Sequence, residues 1–135
     1  MPPATPDQLT DDARRFLAER HLATLTTLRP DGTPHVTPVG FTWDADAAVA
    51  RVITSGTSQK ARNAAAGVAA VLCQLDGPHW IALEGVALTS TDPAVIADAV
   101  GRYAERYRVP RENPLRVAIE LRVTRVLGSR AMLAR

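Results

Sequence analysis

The clearest alternation of apolar and polar positions lies near the end of this chain. Every second residue is apolar there, which is the period of a strand with one buried face; the apolar residues are Val117, Ile119, Leu121 and Val123. Apolar and β-branched runs bounded by turn residues predict three further strands, over 49–54, 68–74 and 80–89.

A β-hairpin is predicted closer to the start of the chain. Residues 22–28 have the Thr-rich alternation of a strand, 29–32 end in the Asp-Gly sequence of a tight turn, and 35–43 form the returning strand. Pro34 and Pro38 have no backbone N–H to donate. We therefore expect the returning strand to lie at an edge, or to leave the ladder near Pro38.

Two longer segments have the period of a helix. One covers about 7–20 and places Leu9, Ala13, Phe16 and Leu17 on one face. The other covers about 93–108, where an Asp-Pro pair supplies a cap and a favoured first residue. Hairpin-linked strands with only two long helices predict a mainly β (α+β) domain over 1–135, a six-stranded antiparallel barrel with flanking helices. Its strands fall within 21–89 and 114–129.

Length and composition restrict the class of protein. With 135 residues, of which 46% are hydrophobic, the chain is long enough for one modest core that a second subunit could extend. The first residues lack the basic and apolar pattern of an export signal, and no apolar run is long enough to span a membrane. The lone Cys73 cannot form an internal disulfide. These features predict a cytoplasmic protein.

The charge is unevenly distributed. The net charge is +2, yet residues 101–135 contain nine Arg and three Glu. Only 4% of the residues are aromatic and no nucleic-acid-binding motif is present, so an anionic small molecule is a better partner than nucleic acid. Among the sixteen basic residues, Lys60 is the single lysine. No metal-ligand spacing is found among the histidines.

The segment around Lys60 has the chemistry of a phosphate site. A strand leads into Ser55, Gly56, Thr57 and Ser58, where glycine lets the backbone approach a ligand and hydroxyls can donate to phosphate oxygens. Gln59, Lys60, Arg62 and Asn63 follow in one helical turn, where free N–H groups also favour an anion. Simple helix capping explains the same residues about as well.

These motifs resemble the split-barrel flavin and deazaflavin oxidoreductases related to pyridoxamine 5'-phosphate oxidase. The similarity spans nearly the whole chain and is closest to the actinobacterial branch that uses coenzyme F420, the F420-dependent biliverdin reductases. It is carried by 21–28, 31–36, 39–42, 50–54, 58–63, the Glu-Gly pair 84–85, the helix segment 102–108 and the final strand. The resemblance implies a split β-barrel of the FMN-binding type.

The resemblance also implies a cofactor site. Lys60 and its neighbours Gly56, Ser58, Gln59 and Asn63 would hold the phosphate. The backbone of Thr37, Pro38 and Val39 and of Ile53, Thr54 and Ser55 would meet the deazaflavin ring. Gln74 and Trp80 would reach the site from the partner subunit of a homodimer with its cofactor sites at the interface.

By the same resemblance, the chain would reduce a conjugated substrate such as biliverdin, a tetrapyrrole, with hydride from reduced F420. No residue is required as a nucleophile. Arg102 and Arg106, four residues apart on one helix, could meet the propionates, although a solvated arginine face explains them too. Two alternatives remain: an FMN-dependent enzyme similar to pyridoxamine phosphate oxidase, and a non-catalytic protein that carries a cofactor or haem.

Overall fold

The computed structural model describes residues 3–134. It contains three α-helices and seven β-strands. The helices are α1 (Asp11–Ala18), α2 (Gln59–Asn63) and α3 (Pro93–Arg106), and the strands are β1 (Ala23–Leu28), β2 (Pro34–Val39), β3 (Thr42–Asp44), β4 (Val49–Ser55), β5 (Val68–Asp76), β6 (His79–Ser90) and β7 (Arg116–Gly128). Short 3-10 turns lie at Pro6–Gln8 and Arg130–Met132.

All seven strands belong to one antiparallel sheet with the order β2-β1-β5-β6-β7-β4-β3. Strands β2 and β3 lie at opposite edges of that order, although only Gly40 and Phe41 separate them along the chain. The sheet must therefore curl until its two edges meet, which closes it into a barrel. We call the two linking residues, Gly40 and Phe41, the barrel seam.

The seam explains why seven strands are found where six were predicted. The predicted strand 35–43 is divided into β2 and β3, which pair with different neighbours. Strand β2 is an edge strand and ends at Val39, directly after Pro38. The expectation that this strand lies at an edge and leaves the ladder near Pro38 is confirmed, and so is the mainly β barrel with flanking helices.

The barrel interior is filled by the alternate residues of its strands. Leu25, Leu72, Leu83, Ile119 and Leu121 are each 1% exposed. Helix α1 closes one part of this core with its three buried residues, Ala13, Phe16 and Leu17. The structure therefore places the hydrophobic stripe of the first helix against the sheet.

The helices are shorter than predicted. Helix α1 begins at Asp11 because the Thr10 side chain accepts a hydrogen bond from the backbone N–H of Ala13 and caps the helix there. Leu9, predicted to lie on that helix, instead forms an isolated bridge with Leu133. Helix α3 begins at Pro93 as predicted and ends at Arg106, two residues early.

Gly85 allows two strands to approach at a β-bulge. Gly85 of β6 pairs with Val123, its neighbour Glu84 pairs with Arg125, and Thr124 is left without a pairing partner. A Cβ atom at Gly85 would lie 1.8 Å from the backbone carbonyl oxygen of Arg122. Because this oxygen belongs to the backbone, it could move away only if the strand pairing were distorted.

We expect Gly85→Ala to lower the free energy of unfolding by about 2 kcal/mol or more, through backbone strain at this bulge. Gly101→Ala is the matched control, since Gly101 lies on an exposed part of α3 with no atom within 4 Å of an added Cβ. That variant should stabilise the protein by up to about 1 kcal/mol. Denaturant unfolding of both variants measures the difference, and equal effects would contradict the assignment.

Candidate functional site

A polar pocket of about 290 Å³ opens beside the barrel seam. Parts of the chain that are distant in sequence meet around it: the end of β2 and the seam, the end of β4, the start of α2, the last turns of α3, and the loop that leads into β7. Its lining residues are Pro38, Val39, Gly40, Ile53, Thr54, Ser55, Lys60, Tyr103, Pro110, Asn113 and Arg116.

The turn between β4 and α2 positions Lys60. The Ser58 hydroxyl accepts a hydrogen bond from the Ala61 N–H (3.3 Å) and so caps α2, and the Thr54 hydroxyl donates to it (3.1 Å). The Gly56 N–H donates to the Leu115 carbonyl (2.7 Å) and fixes the turn to the loop before β7. Helix capping, one of the two interpretations of this turn, is therefore observed at Ser58. Lys60, the residue on which the phosphate-site interpretation depends, lines the pocket.

Lys60 is a half-buried cation. Burial lowers the pKa of its ammonium group, and no carboxylate in the described part of the chain offsets that effect. A bound anion would supply the missing charge.

A second cation lies across the ladder from this turn, because Arg116 pairs with Ser55 in register. One Arg116 N–H group donates to the Arg111 carbonyl (2.5 Å). Asn113 accepts from the Leu115 N–H through Oδ1 (2.9 Å), so its amide NH₂ group is available for a ligand. The pocket lining contains no carboxylate, and the arrangement is therefore that of an anion-binding site.

The structure brings six of the residues predicted for the cofactor site together around the pocket. Other residues predicted in the same segments lie next to the pocket without lining it. Pro38, Val39, Ile53, Thr54, Ser55 and Lys60 line the pocket. Gln59 and Asn63 hydrogen-bond to each other (2.7 Å), and Asn63 also donates to the buried Thr27 of β1 (3.0 Å). These two amides fasten α2 to the barrel. Thr37, Gly56 and Ser58 lie in the same segments without lining the pocket.

Gln74 and Trp80 do not reach this pocket within their own subunit. Gln74 is 1% exposed; its amide donates to the Phe16 carbonyl (2.9 Å), and its Oε1 accepts from Arg106 (2.6 Å). It has no surface to offer a partner subunit, which corrects the prediction made for it. Trp80 is 38% exposed and borders a separate cavity of about 610 Å³ near both chain ends.

Arg102 and Arg106, predicted to meet a substrate, have internal partners. The Arg106 guanidinium donates to the carbonyls of Glu19 (2.8 Å) and Phe41 (2.5 Å) as well as to Gln74. Burial lowers the pKa of Arg106. Arg102 forms ion pairs with Asp98 (3.0 Å) and Asp44 (3.4 Å). Neither side chain lines the pocket beside the seam.

The sequence reasoning missed five lining residues: Gly40, Tyr103, Pro110, Asn113 and Arg116. Tyr103 lies within the helix predicted over about 93–108, of which only Arg102 and Arg106 were assigned to a ligand. The excess of arginine after residue 100 was the one available signal, and Arg116 is part of it. The register that sets Arg116 opposite Ser55 could not be obtained from either segment alone.

Within residues 3–134, no group of three or more His, Cys, Asp or Glu side chains is arranged to hold a metal ion. None of the helices in this range is long and apolar enough to cross a membrane.

Comparison with known proteins gives the class. The family model described as pyridoxamine 5'-phosphate oxidase matches residues 9–130. Because this match covers most of the chain, the protein belongs to the pyridoxamine 5'-phosphate oxidase family.

Three individual proteins show the similarity in more detail. The chain is 56% identical over 131 residues to an F420H2-dependent biliverdin reductase of Mycobacterium tuberculosis (strain CDC 1551 / Oshkosh), covering 97% of this chain and 96% of that protein. A solved structure titled F420 reductase is 27% identical with a TM-score of 0.71, covering 88% of this chain and 98% of the other. A conserved hypothetical protein of M. tuberculosis, 23% identical, has a TM-score of 0.75 over 93% of this chain and 88% of its own and shows the fold alone.

The structural role of Arg106 can be tested by stability. Arg106→Ala removes one donor from the Phe41 carbonyl and the donor of the buried Gln74 amide oxygen, and we expect a loss of about 2 to 4 kcal/mol in the free energy of unfolding. Arg102→Ala should lose less than about 1 kcal/mol, because Arg102 is 39% exposed and Asp44 keeps its ion pair with Arg51. Chemical denaturation distinguishes the two, and a small effect at Arg106 would contradict the role.

Proposed function

We propose that this protein is a reductase that transfers hydride from reduced coenzyme F420 to biliverdin, giving bilirubin, in the cytoplasm. The single observation that carries the proposal is the 56% identity, over nearly all of both chains, to an F420H2-dependent biliverdin reductase. At this identity, the pocket described above is expected to be shared in shape and chemistry.

The chemistry of the pocket fits the phosphate of this cofactor. Lys60 and Arg116 supply two cations, the pocket lining contains no carboxylate, and Ser55, Thr54 and Asn113 supply polar groups beside them. The seam contributes Gly40 to the same lining. A phosphate ester between Lys60 and Arg116 would replace the water lost when Lys60 is buried.

The loop next to the pocket suits the rest of the cofactor. Coenzyme F420 continues beyond its phosphate into a lactyl-oligoglutamate tail, whereas FMN ends at the phosphate. The exposed Arg108 and Arg111 lie on the loop that contributes Pro110 and Asn113 to the pocket. These arginines give the polyanionic tail a complementary surface, which FMN would leave unused.

The chain's own residues would bind and orient the cofactor and would exclude water from the pocket. When bound, the reduced cofactor supplies the hydride from its ring. Lys60 and Arg116 would hold the phosphate end, and the ends of β2 and β4 would fix the direction of the ring within the pocket. Holding two reactants in one geometry is itself a large contribution to the rate of hydride transfer.

The test mixes the purified protein with reduced F420 and biliverdin and follows their absorbance. We expect biliverdin to disappear as oxidised F420 forms. Lys60→Ala should weaken F420 binding by about 10- to 100-fold, since charge-assisted hydrogen bonds to the phosphate are lost. Arg62→Ala is the matched control: Arg62 lies on the same helix, is exposed and does not line the pocket, so its binding should stay near wild type.

A parallel arm with FMN and a nicotinamide donor distinguishes the alternatives. Binding and turnover in the FMN arm alone would overturn the cofactor assignment. Tight F420 binding without reduction of biliverdin would favour a carrier or a different substrate. Equal losses in the Lys60 and Arg62 variants would show that the pocket is not the phosphate site.

We further propose that the protein is a homodimer joined through one apolar sheet face. By the two-residue period, Leu28, Leu75, Val86, Leu88 and Leu127 share the outer face of β1, β5, β6 and β7. Val86 is 55% and Leu88 52% exposed. This face also contains the Glu84–Arg125 ion pair (3.8 Å), and a cluster of exposed apolar side chains on a small protein favours a partner. Trp80 pairs with Leu75 on the same face, which supports its predicted reach into the neighbouring subunit's site.

The oligomeric state tests this. Val86 lies opposite Arg122 and Leu88 opposite Glu120, so a Val86→Glu, Leu88→Arg double variant gains opposite charges across the ladder while placing charges on the proposed interface. We expect light scattering to give the mass of a dimer for the wild type and of a folded monomer for this variant. Val109→Glu, on an exposed loop, is the control and should stay dimeric. A monomeric wild type would contradict the proposal.

A further inference from the structure

We infer that Tyr103 forms an aromatic wall of the pocket and contacts the ring system of the bound cofactor. The inference rests on the proposed function and deepens it, because it assigns a ring-binding residue to a helix rather than to the strands. Tyr103 is half-buried, on the last turns of α3, and lines the same pocket as Lys60.

The neighbouring Tyr107 holds this wall in place. The Tyr107 hydroxyl donates to the His21 carbonyl (2.6 Å) and accepts from the Phe41 N–H (3.1 Å), so its ring is fixed against the seam. The Tyr103 ring packs on it with a centroid distance of 4.9 Å and an interplanar angle of 34°. A ring supported in this way is already in place before a ligand binds, so little conformational entropy is lost on binding.

The seam is shaped to receive both rings. A Cβ atom at Gly40 would lie 3.1 Å from the Tyr107 ring and 3.2 Å from the Tyr103 ring. The backbone angles of Gly40 are not in the left-handed region that requires glycine. The absence of a side chain there is therefore explained by the space that the rings occupy, not by backbone conformation.

The hydroxyl groups of the two tyrosines differ. The Tyr107 hydroxyl is hydrogen-bonded to backbone groups. Within residues 3–134 the Tyr103 hydroxyl has no hydrogen-bond partner, and it is not fully buried. The Tyr103 side chain thus presents a supported ring and an available hydroxyl at the pocket.

Charge and aromatic surface occupy different parts of the pocket. Lys60 and Arg116 belong to the turn after β4 and its ladder partner, while Tyr103 stands against Gly40 at the end of β2. A ligand that satisfies both parts carries a flat conjugated ring and an anionic group. This is the chemical class of a flavin or deazaflavin phosphate.

The experiment separates ring contact from phosphate contact. Wild type, Tyr103→Phe, Tyr103→Leu and Lys60→Ala are each titrated with F420 and with its ribityl deazaflavin core, which lacks the phosphate and the tail. We expect Tyr103→Leu to bind both ligands about tenfold more weakly, and Tyr103→Phe to lose about threefold. Lys60→Ala should weaken F420 binding alone. Far-UV circular dichroism and thermal unfolding confirm that each variant is folded.

Gly40→Ala gives a second measure that removes no functional group. The added methyl group displaces the rings, and we expect ring-ligand affinity to fall by about the same factor as in Tyr103→Leu. If both Tyr103 variants bind the two ligands as tightly as wild type while Lys60→Ala weakens F420, the inference is overturned and the proposed function stands. If the wild type binds FMN and not F420, the cofactor proposal fails. Titration of the same variants with FMN then shows whether Tyr103 contacts the ring. Failure to bind any of these ligands overturns both.

Discussion

The half-buried guanidinium of Arg106 holds together three parts of the chain that no strand pairing joins. It donates to the carbonyl of Glu19 after α1, to the carbonyl of Phe41 at the barrel seam, and to the amide of Gln74 on β5. Its Cζ atom also lies 4.8 Å from the centroid of the Phe41 ring. Because β2 and β3 separate at the seam, backbone groups there lack ladder partners, and an arginine with several fixed donors supplies them. The end of α3 is thereby fixed, and with it one side of the pocket.

In the part of the chain that the structure describes, the pocket contains a cation without a carboxylate partner, and Arg51 shows the opposite arrangement. Arg51, 12% exposed, is balanced by Asp44 and Glu120 at 3.0 and 3.2 Å. Lys60 is half-buried, and its lowered pKa has desolvation as its cause, without a compensating carboxylate. An unbalanced cation reduces stability, and such costs are concentrated where a ligand is to bind. Arg51 thus has its charge balanced within the fold, whereas the charge of Lys60 is left for the anion proposed to bind there.

The sequence predicted what depends on local pattern. Alternation located the strands, the prolines of β2 predicted its early departure from the ladder, and the single lysine marked the turn that lines the pocket. What it could not predict depends on pairing between distant segments: Arg116 joins the site through the register with Ser55, and Tyr103 through its packing on Gly40. Arg106 was expected to meet the propionates of a substrate or to lie on a solvated arginine face, and only the structure shows three internal acceptors around it.

The fold and the site support different parts of the functional conclusion. The barrel is shared with a structure only 23% identical, and a shared fold alone does not determine an activity. The pocket lining offers two cations, hydroxyl and amide groups, and one supported aromatic ring, with no histidine, cysteine or carboxylate among its residues. These groups are suited to holding an anionic, ring-containing molecule in a fixed orientation. Under the proposed function, the molecule bound in this pocket determines the reaction, and the chain contributes to selectivity through the spacing between its cationic and aromatic parts.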